Sequence, residues 1–195
     1  ELSKLQDFEN PSIALEQYST PSEIAADWLW QAMMLGDIGN RVILDAGCGP
    51  GILGIGSLLL GAKTVYFLDK SESSIRIAEE NVARIKDKVT GKAIFLHQDI
   101  DLFDETVNIV LQNPPFGTKV RHRDKKFLES AFKSANIVYS MHKWSTKKFV
   151  ESIVKDYDFS IEHVWRYEFP IKAQFKHHKK PKVRVDVGLW RMVKK

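Results

Sequence analysis

Two short clusters in this chain combine residue types that could transfer a group to nitrogen. The first, Asp45-Ala-Gly-Cys-Gly-Pro-Gly51, is a glycine-rich turn that opens on a carboxylate. The second is Asn113-Pro114-Pro115-Phe116. An exocyclic amine is a poor nucleophile because its lone pair is delocalised into the ring. A site helps by accepting both amine hydrogens, which favours a tetrahedral nitrogen. The Asn113 side-chain oxygen and the Pro114 carbonyl could supply these acceptors. Pro115 removes a backbone donor and stiffens the turn, and Phe116 offers a face on which a flat ring can stack. No strong base is required, because the nitrogen loses its proton readily once it is cationic. Such a site would act through orientation and electrostatics.

The glycines must then hold the donor. Gly47, Gly49 and Gly51 allow a sharp bend and a close approach to a ligand. Gly49-Pro-Gly51-Ile-Leu-Gly54 also fits the G-x-G-x-x-G spacing of dinucleotide sites, so a nicotinamide cofactor competes on spacing alone. Asp45 favours S-adenosylmethionine: a carboxylate there suits the cofactor's ammonium, directly or through water, whereas a pyrophosphate requires bare helix N-terminal amides. A nicotinamide enzyme would also leave Asn-Pro-Pro-Phe without a role. Asp69 suits ribose hydroxyls under either reading, and Asp99 could accept from an adenine amino group or merely cap a turn.

The elements that must position these residues alternate between strand and helix. Short apolar runs at 41–46, 64–68, 92–97, 107–112 and 136–139 read as strands. Segments 21–35, 51–60, 72–85, 127–135 and 145–157 read as helices. Thr20-Pro21-Ser22-Glu23 has the form of a capping box, with Thr20 as cap, and Ser71 is a second candidate cap. Residues 160–171 and 183–193 form a C-terminal antiparallel pair. The expectation is an α/β fold: a mostly parallel seven-stranded sheet with helices on both faces and a terminal hairpin. In such sheets ligands sit beyond the carboxyl ends of the strands, where Asp45, Asp69, Asp99 and Asn113 all fall. One domain is expected, with an arm and helix over 1–36 and a core over 41–195.

Composition narrows the setting. With 195 residues, 44% of them hydrophobic, the chain can bury a substantial core. Its one cysteine, Cys48, excludes an internal disulfide framework and fits a reducing compartment. No apolar run reaches the ~20 residues that span a bilayer, and no secretory leader is visible, so a cytoplasmic protein is expected. The chain opens on Glu1, which raises the expectation that its natural start is missing. The charge of +4 is mildly basic, but its distribution says more. Lys119, Arg121, His122 and Arg123 follow Asn-Pro-Pro-Phe, and Lys176, His178, Lys179, Lys180 and Lys182 lie in an acid-free stretch between Glu168 and Asp186. Both runs should flank the amine site, where they favour nucleic acid through phosphate contacts. His177 and His178 lack a third spaced ligand, so no metal site is expected. Trp28, Trp30, Trp144, Trp165 and Trp190 read as packing residues.

Asp-Ala-Gly-Cys-Gly-Pro-Gly with Asn-Pro-Pro-Phe-Gly resembles the Rossmann-like class I amino methyltransferases. Leu15-Glu-Gln-Tyr-Ser-Thr-Pro21, Lys119-Val-Arg-His-Arg-Asp124 and Phe175-Lys-His-His-Lys-Lys180 narrow the likeness. Over essentially the whole chain the sequence resembles the methyltransferase-like protein 5 family, which makes N6-methyladenosine in small-subunit ribosomal RNA. The resemblance implies that Gln17, Tyr18 and Thr20 close over the methionine end of S-adenosylmethionine and that Asn113 also meets the cofactor. It further implies a small zinc-binding activator protein that docks by strand addition near residues 92–98. Ser19 departs from the family, where a proline is expected. Asn-Pro-Pro-Phe alone leaves adenine in DNA and a protein glutamine amide open as substrates. A non-catalytic RNA-binding subunit would show degenerate motifs, and these are intact.

Overall fold

Apolar runs bounded by glycine and polar turns form the strands β1 (Val42–Ala46), β2 (Thr64–Asp69), β3 (Lys92–His97), β4 (Ile109–Gln112) and β5 (Ile137–Lys143). β6 (Phe159–Lys172) and β7 (Lys182–Lys194) complete a seven-stranded sheet of order β3-β2-β1-β4-β5-β7-β6. The computed structural model describes residues 1–9, 11, 17–115, 123–172 and 182–195. β1 to β5 are parallel, while β7 runs antiparallel to β5 and to β6. β1 lies between β2 and β4, so the strand order reverses there, and the carboxyl ends of β1 and β4 open a crevice suited to a ligand.

Alternation along each strand supplies two cores. Ile43, Val65, Phe67, Ile109 and Leu111 face α1 (Ser22–Met34), α2 (Ile52–Leu59) and α3 (Glu72–Ala83). Leu44, Leu68, Val110 and Val138 face α4 (Arg123–Ser134) and α5 (Lys147–Asp156). Among the described residues no helix is long and apolar enough to cross a membrane.

Several local expectations change. Ser71 does cap α3, accepting from the Ser74 amide at 3.4 Å. Thr20 does not cap α1: Pro21 holds the cap position without a side-chain bond, and the Thr20 hydroxyl faces Asn113 instead. α4 begins at Arg123, one turn before the expected start. β5 continues through Ser140 and His142, whose polarity hid the strand. Gln112 Nε2 donates to Ser140 Oγ at 3.0 Å, and that hydroxyl lies 2.6 Å from His142 Nε2. Burial lowers the His142 pKa to about 3, so the ring sits neutral between β5 and its neighbours. Trp28 is fully buried, but Trp30 is 55% exposed, because two residues along a helix turn a side chain to the opposite face.

The C-terminal hairpin is fastened to the rest of the sheet by a buried charge cluster. Arg191 Nε donates to Asp37 Oδ2 at 2.7 Å, and Tyr139 Oη donates to the same oxygen at 2.6 Å. Glu162 pairs with the outer guanidinium nitrogen. Asp37 follows α1, so the cluster ties that helix to β5, β6 and β7. Removing one member of a buried pair strands the other charge. Asp37→Ala should therefore lower unfolding free energy by about 3–5 kcal/mol in urea titration. A loss under about 1 kcal/mol would mean that hydrophobic packing alone docks α1.

Candidate active site

The turn after β1 is built by its own glycines. Gly51 holds the cap position of α2 at φ 88°, a left-handed conformation that side chains other than glycine resist. The amides of Gly47 and Cys48 both donate to the Leu68 carbonyl, at 2.8 and 2.9 Å, which pins the turn to the end of β2. A cleft of about 340 Å³ opens above it, within the size range of small-molecule sites.

The expected residues mostly converge on this cleft. Gln17, Tyr18, Thr20, Asp45, Gly47, Gly49, Asp69, Asp99, Asn113 and Pro115 all line it. Gly51 and Pro114 do not: the first shapes the helix start, and the second turns its carbonyl to Tyr18. Phe116, Lys119, Arg121, His122, Lys176, His177, His178, Lys179 and Lys180 lie outside the described residues, as do the side chains of Arg123 and Lys182. Arg123 opens α4 and Lys182 opens β7. Phe8, Gln98, Ile100, Lys126 and Phe127 also line the cleft. Sequence reasoning missed these; only the neighbours of Asp99 carried a local signal, and Phe8 carried none.

Three carboxyl groups differ in state. Asp45 is 1% exposed, and its Oδ2 accepts from the Gly54 amide at 2.8 Å. Burial raises its pKa to about 7 against that bond, and nearby Asp69 adds to the rise. Burial also raises Asp69, while the Ser71 and Gly49 amides, at 2.8 and 3.0 Å, hold it back. Asp99 is lowered: partial burial pushes it upward, but the hydrogen bond and charge of Lys126, 3.1 Å away, outweigh that. Lys126 also reaches Asp101 at 2.7 Å.

The residues after β4 are held from outside the sheet. Asn113 Nδ2 donates to Thr20 Oγ1 at 3.0 Å, and Tyr18 Oη donates to the Pro114 carbonyl at 3.0 Å. Gln17 Nε2 donates to Ser74 Oγ at 3.2 Å, anchoring the same segment to α3. With its amide nitrogen engaged, Asn113 keeps Oδ1 buried and without a hydrogen-bond partner among the described residues. A buried, unsatisfied acceptor beside a cleft is a place for a donor from a ligand.

Residues 28–114 match the family model of the ribosomal protein L11 methyltransferase (PrmA). The chain is 34% identical to the Drosophila melanogaster rRNA N(6)-adenosine-methyltransferase Mettl5, over 97% of this chain and 92% of that one. It is 32% identical to the zebrafish (Danio rerio) rRNA N(6)-adenosine-methyltransferase METTL5, over 97% and 94%. A crystal structure from Pyrococcus horikoshii, provisionally assigned as an RNA methyltransferase, superposes with a TM-score of 0.91 at 37% identity, covering 99% of this chain and 94% of that one.

The raised pKa of Asp45 has a defined sign. Below the ordinary value of 3.8 the group is protonated in both folded and unfolded chains. Between 3.8 and about 7 the unfolded chain releases the proton and the folded one retains it, so stability falls as pH rises. Asp45→Asn should abolish that fall, and its melting temperature should gain on the unmutated protein from pH 4 toward pH 8. Parallel pH profiles for the two proteins would show Asp45 titrating normally.

Proposed function

Because the chain belongs to the METTL5 family of rRNA N(6)-adenosine-methyltransferases, we propose that it methylates the N6 amine of an adenosine in small-subunit ribosomal RNA, using S-adenosylmethionine. The observation that carries this reading is Asn113 at the end of β4: its Oδ1 is a buried acceptor with no partner among the described residues, and the residue lines a cleft with Asp45 and Asp69.

Asp45 would hold the ammonium of the cofactor and Asp69 its ribose hydroxyls. Each carboxylate keeps lone pairs beyond those given to backbone amides. Asp99, held by Lys126, would accept from the adenine amino group. Gly47 and Gly49 let the backbone approach, and Gln17, Tyr18 and Thr20 close the methionine end. S-adenosylmethionine supplies the methyl group: the nitrogen lone pair forms the new C–N bond while the C–S electron pair returns to sulfur.

The chain's residues prepare the amine for that event. Asn113 Oδ1 accepts one N6 hydrogen. The Pro114 carbonyl does not line the described cleft; it accepts from Tyr18 with one lone pair and would accept the second hydrogen with the other. Thr20 fixes the Asn113 amide so that its oxygen, not its nitrogen, meets the amine. Phe116 stacks on the base, which must be unpaired or extruded to enter. After transfer the cationic nitrogen gives its proton to solvent.

Two features support an RNA substrate and a protein partner. β7 pairs Val187 with Lys143, the last residue of β5, so Lys182 to Asp186 run past the carboxyl end of β5. β6 thus ends and β7 begins at the end of the sheet where Asn113 sits. Lys119, Arg121, His122 and Arg123, which follow β4 in sequence, and Lys176, His178, Lys179, Lys180 and Lys182, which follow β6 in sequence, would meet RNA phosphates. β3 is a sheet edge with half-buried Ala93, Ile94, Phe95 and Leu96, the form of surface to which a small zinc-binding activator adds a strand.

Transfer of labelled methyl groups to unmodified ribosomal RNA, followed by nucleoside mass spectrometry, tests the proposal. N6-methyladenosine should form, and Asn113→Ala should cut turnover about 10²- to 10³-fold with little change in cofactor affinity. A comparable loss of cofactor affinity would instead place Asn113 in the cofactor site alone. Replacing Lys179 and Lys180 by glutamate should weaken RNA binding and flatten its salt dependence; unchanged binding would leave that stretch as a solvated loop.

A further inference from the structure

The N-terminal arm supplies a wall of the cleft. Asn81 of α3, fully buried, carries out the fastening with one side chain. Its Oδ1 accepts from the Gln6 amide at 2.8 Å, and its Nδ2 donates to the Gln6 carbonyl at 2.9 Å and to the Pro50 carbonyl at 3.0 Å. One amide thus clasps both backbone groups of Gln6 and the middle of the glycine turn. Outer pairs extend the seam: Arg84 donates to Gln6 Oε1 at 2.9 Å, Arg76 meets Glu9 at 3.0 Å, and Lys88 meets Glu1 at 2.8 Å.

The arm then delivers Phe8 to the glycine turn. A Cβ on Gly49 would lie 2.8 Å from Phe8 Cζ, closer than van der Waals contact permits. The ring therefore lies directly on the Gly49 backbone, and it lines the cleft with Asp45, Asp69 and Gln17. Asp7 accepts from the Ser19 hydroxyl, which joins the arm to the 17–20 segment on the opposite side.

We propose that Phe8 is a cofactor-contacting residue, an aromatic wall that covers S-adenosylmethionine against the glycine turn, and that Asn81 is the positioning residue that sets the ring at its height above that turn. The inference rests on the reading of this cleft as the cofactor site. An aromatic ring in this position excludes water from the ligand and contributes apolar contact area. Gly49 is required for the contact: any larger residue would displace the ring.

Calorimetric titration of S-adenosylmethionine into the full chain, with melting temperatures of the ligand-free variants, tests it. Phe8→Ala should weaken binding roughly 10-fold or more with the ligand-free melting temperature nearly unchanged, and Phe8→Trp should restore most of the affinity. Asn81→Asp keeps the acceptor for Gln6 but removes both donated bonds, and should weaken binding alone yet add little in the Phe8→Ala background. Should Asn81→Asp fail to fold, Gln6→Pro, which removes the arm's amide donor together with the side chain that accepts from Arg84, should reproduce the Phe8→Ala loss. Unchanged affinity in Phe8→Ala would overturn the contact, and fully additive losses would overturn the positioning role. Absence of binding by the unmutated protein would overturn the reading of the cleft itself, a result distinct from either.

Discussion

Asp45 sets the constraint around which the cleft is arranged. A carboxyl group almost fully withdrawn from water resists ionisation unless it is compensated. Here one amide, from Gly54, supplies partial compensation, and no described cation pairs with it. The strand beneath can tolerate this unfavourable arrangement because β1 is hydrogen-bonded to β2 on one side and β4 on the other. A ligand ammonium would supply the missing charge. The fold thus holds an acid in an environment that a cationic ligand improves, and the raised pKa is the record of that arrangement.

The same economy of fastening governs the other half of the site. Asn113 and Pro114 follow a short strand and have no regular structure of their own, so their geometry is imposed by Thr20 and Tyr18. Those residues belong to a segment anchored on α3 by Gln17. α3 also receives the N-terminal arm through Asn81. One helix therefore braces both chain segments that wall the cleft. The match to the L11 methyltransferase model spans residues 28–114 and includes β1, the glycine turn and Asn113, but neither of these N-terminal segments. The glycine turn and Asn113 therefore fall within the stretch that resembles that family, whereas the two N-terminal segments that enclose the cleft lie outside it.

The alternation of strands and helices was legible because both periodicities are local, and the carboxyl-end rule then located the cleft without coordinates. Asp45, Asp69 and Asn113 could be found because each stands at the end of an apolar run. Thr20 was misread as a cap: its sequence neighbourhood is that of a helix start, and nothing within a few residues reveals a partner at position 113. Phe8 and Asn81 were missed for the same reason, since their contacts cross most of the cofactor half of the chain. β5 was cut short at Tyr139 because Ser140 and His142 look like surface residues, and only the Gln112 side chain on the adjacent strand makes their burial tolerable. Pattern reading fails here where a polar group is satisfied from a distance.

Topology also bears on how a flat base is chosen. The described cleft supplies acceptors and a cofactor bed, which select an amine and not a polymer. On the proposed reading, selection of RNA would come from groups beyond the cleft, and the two basic runs of the sequence are the proposed source. Lys182 to Asp186 run past the carboxyl end of β5 because β7 is antiparallel to it. A parallel final strand of equal length would have begun at the opposite end of the sheet. The antiparallel hairpin, a departure from the otherwise parallel order, is therefore what starts β7 at the end of the sheet where Asn113 lies. Phosphate contacts fix register and orientation without reading sequence, so on the proposed reading the target adenosine would be chosen by a partner or by the shape of the RNA around it.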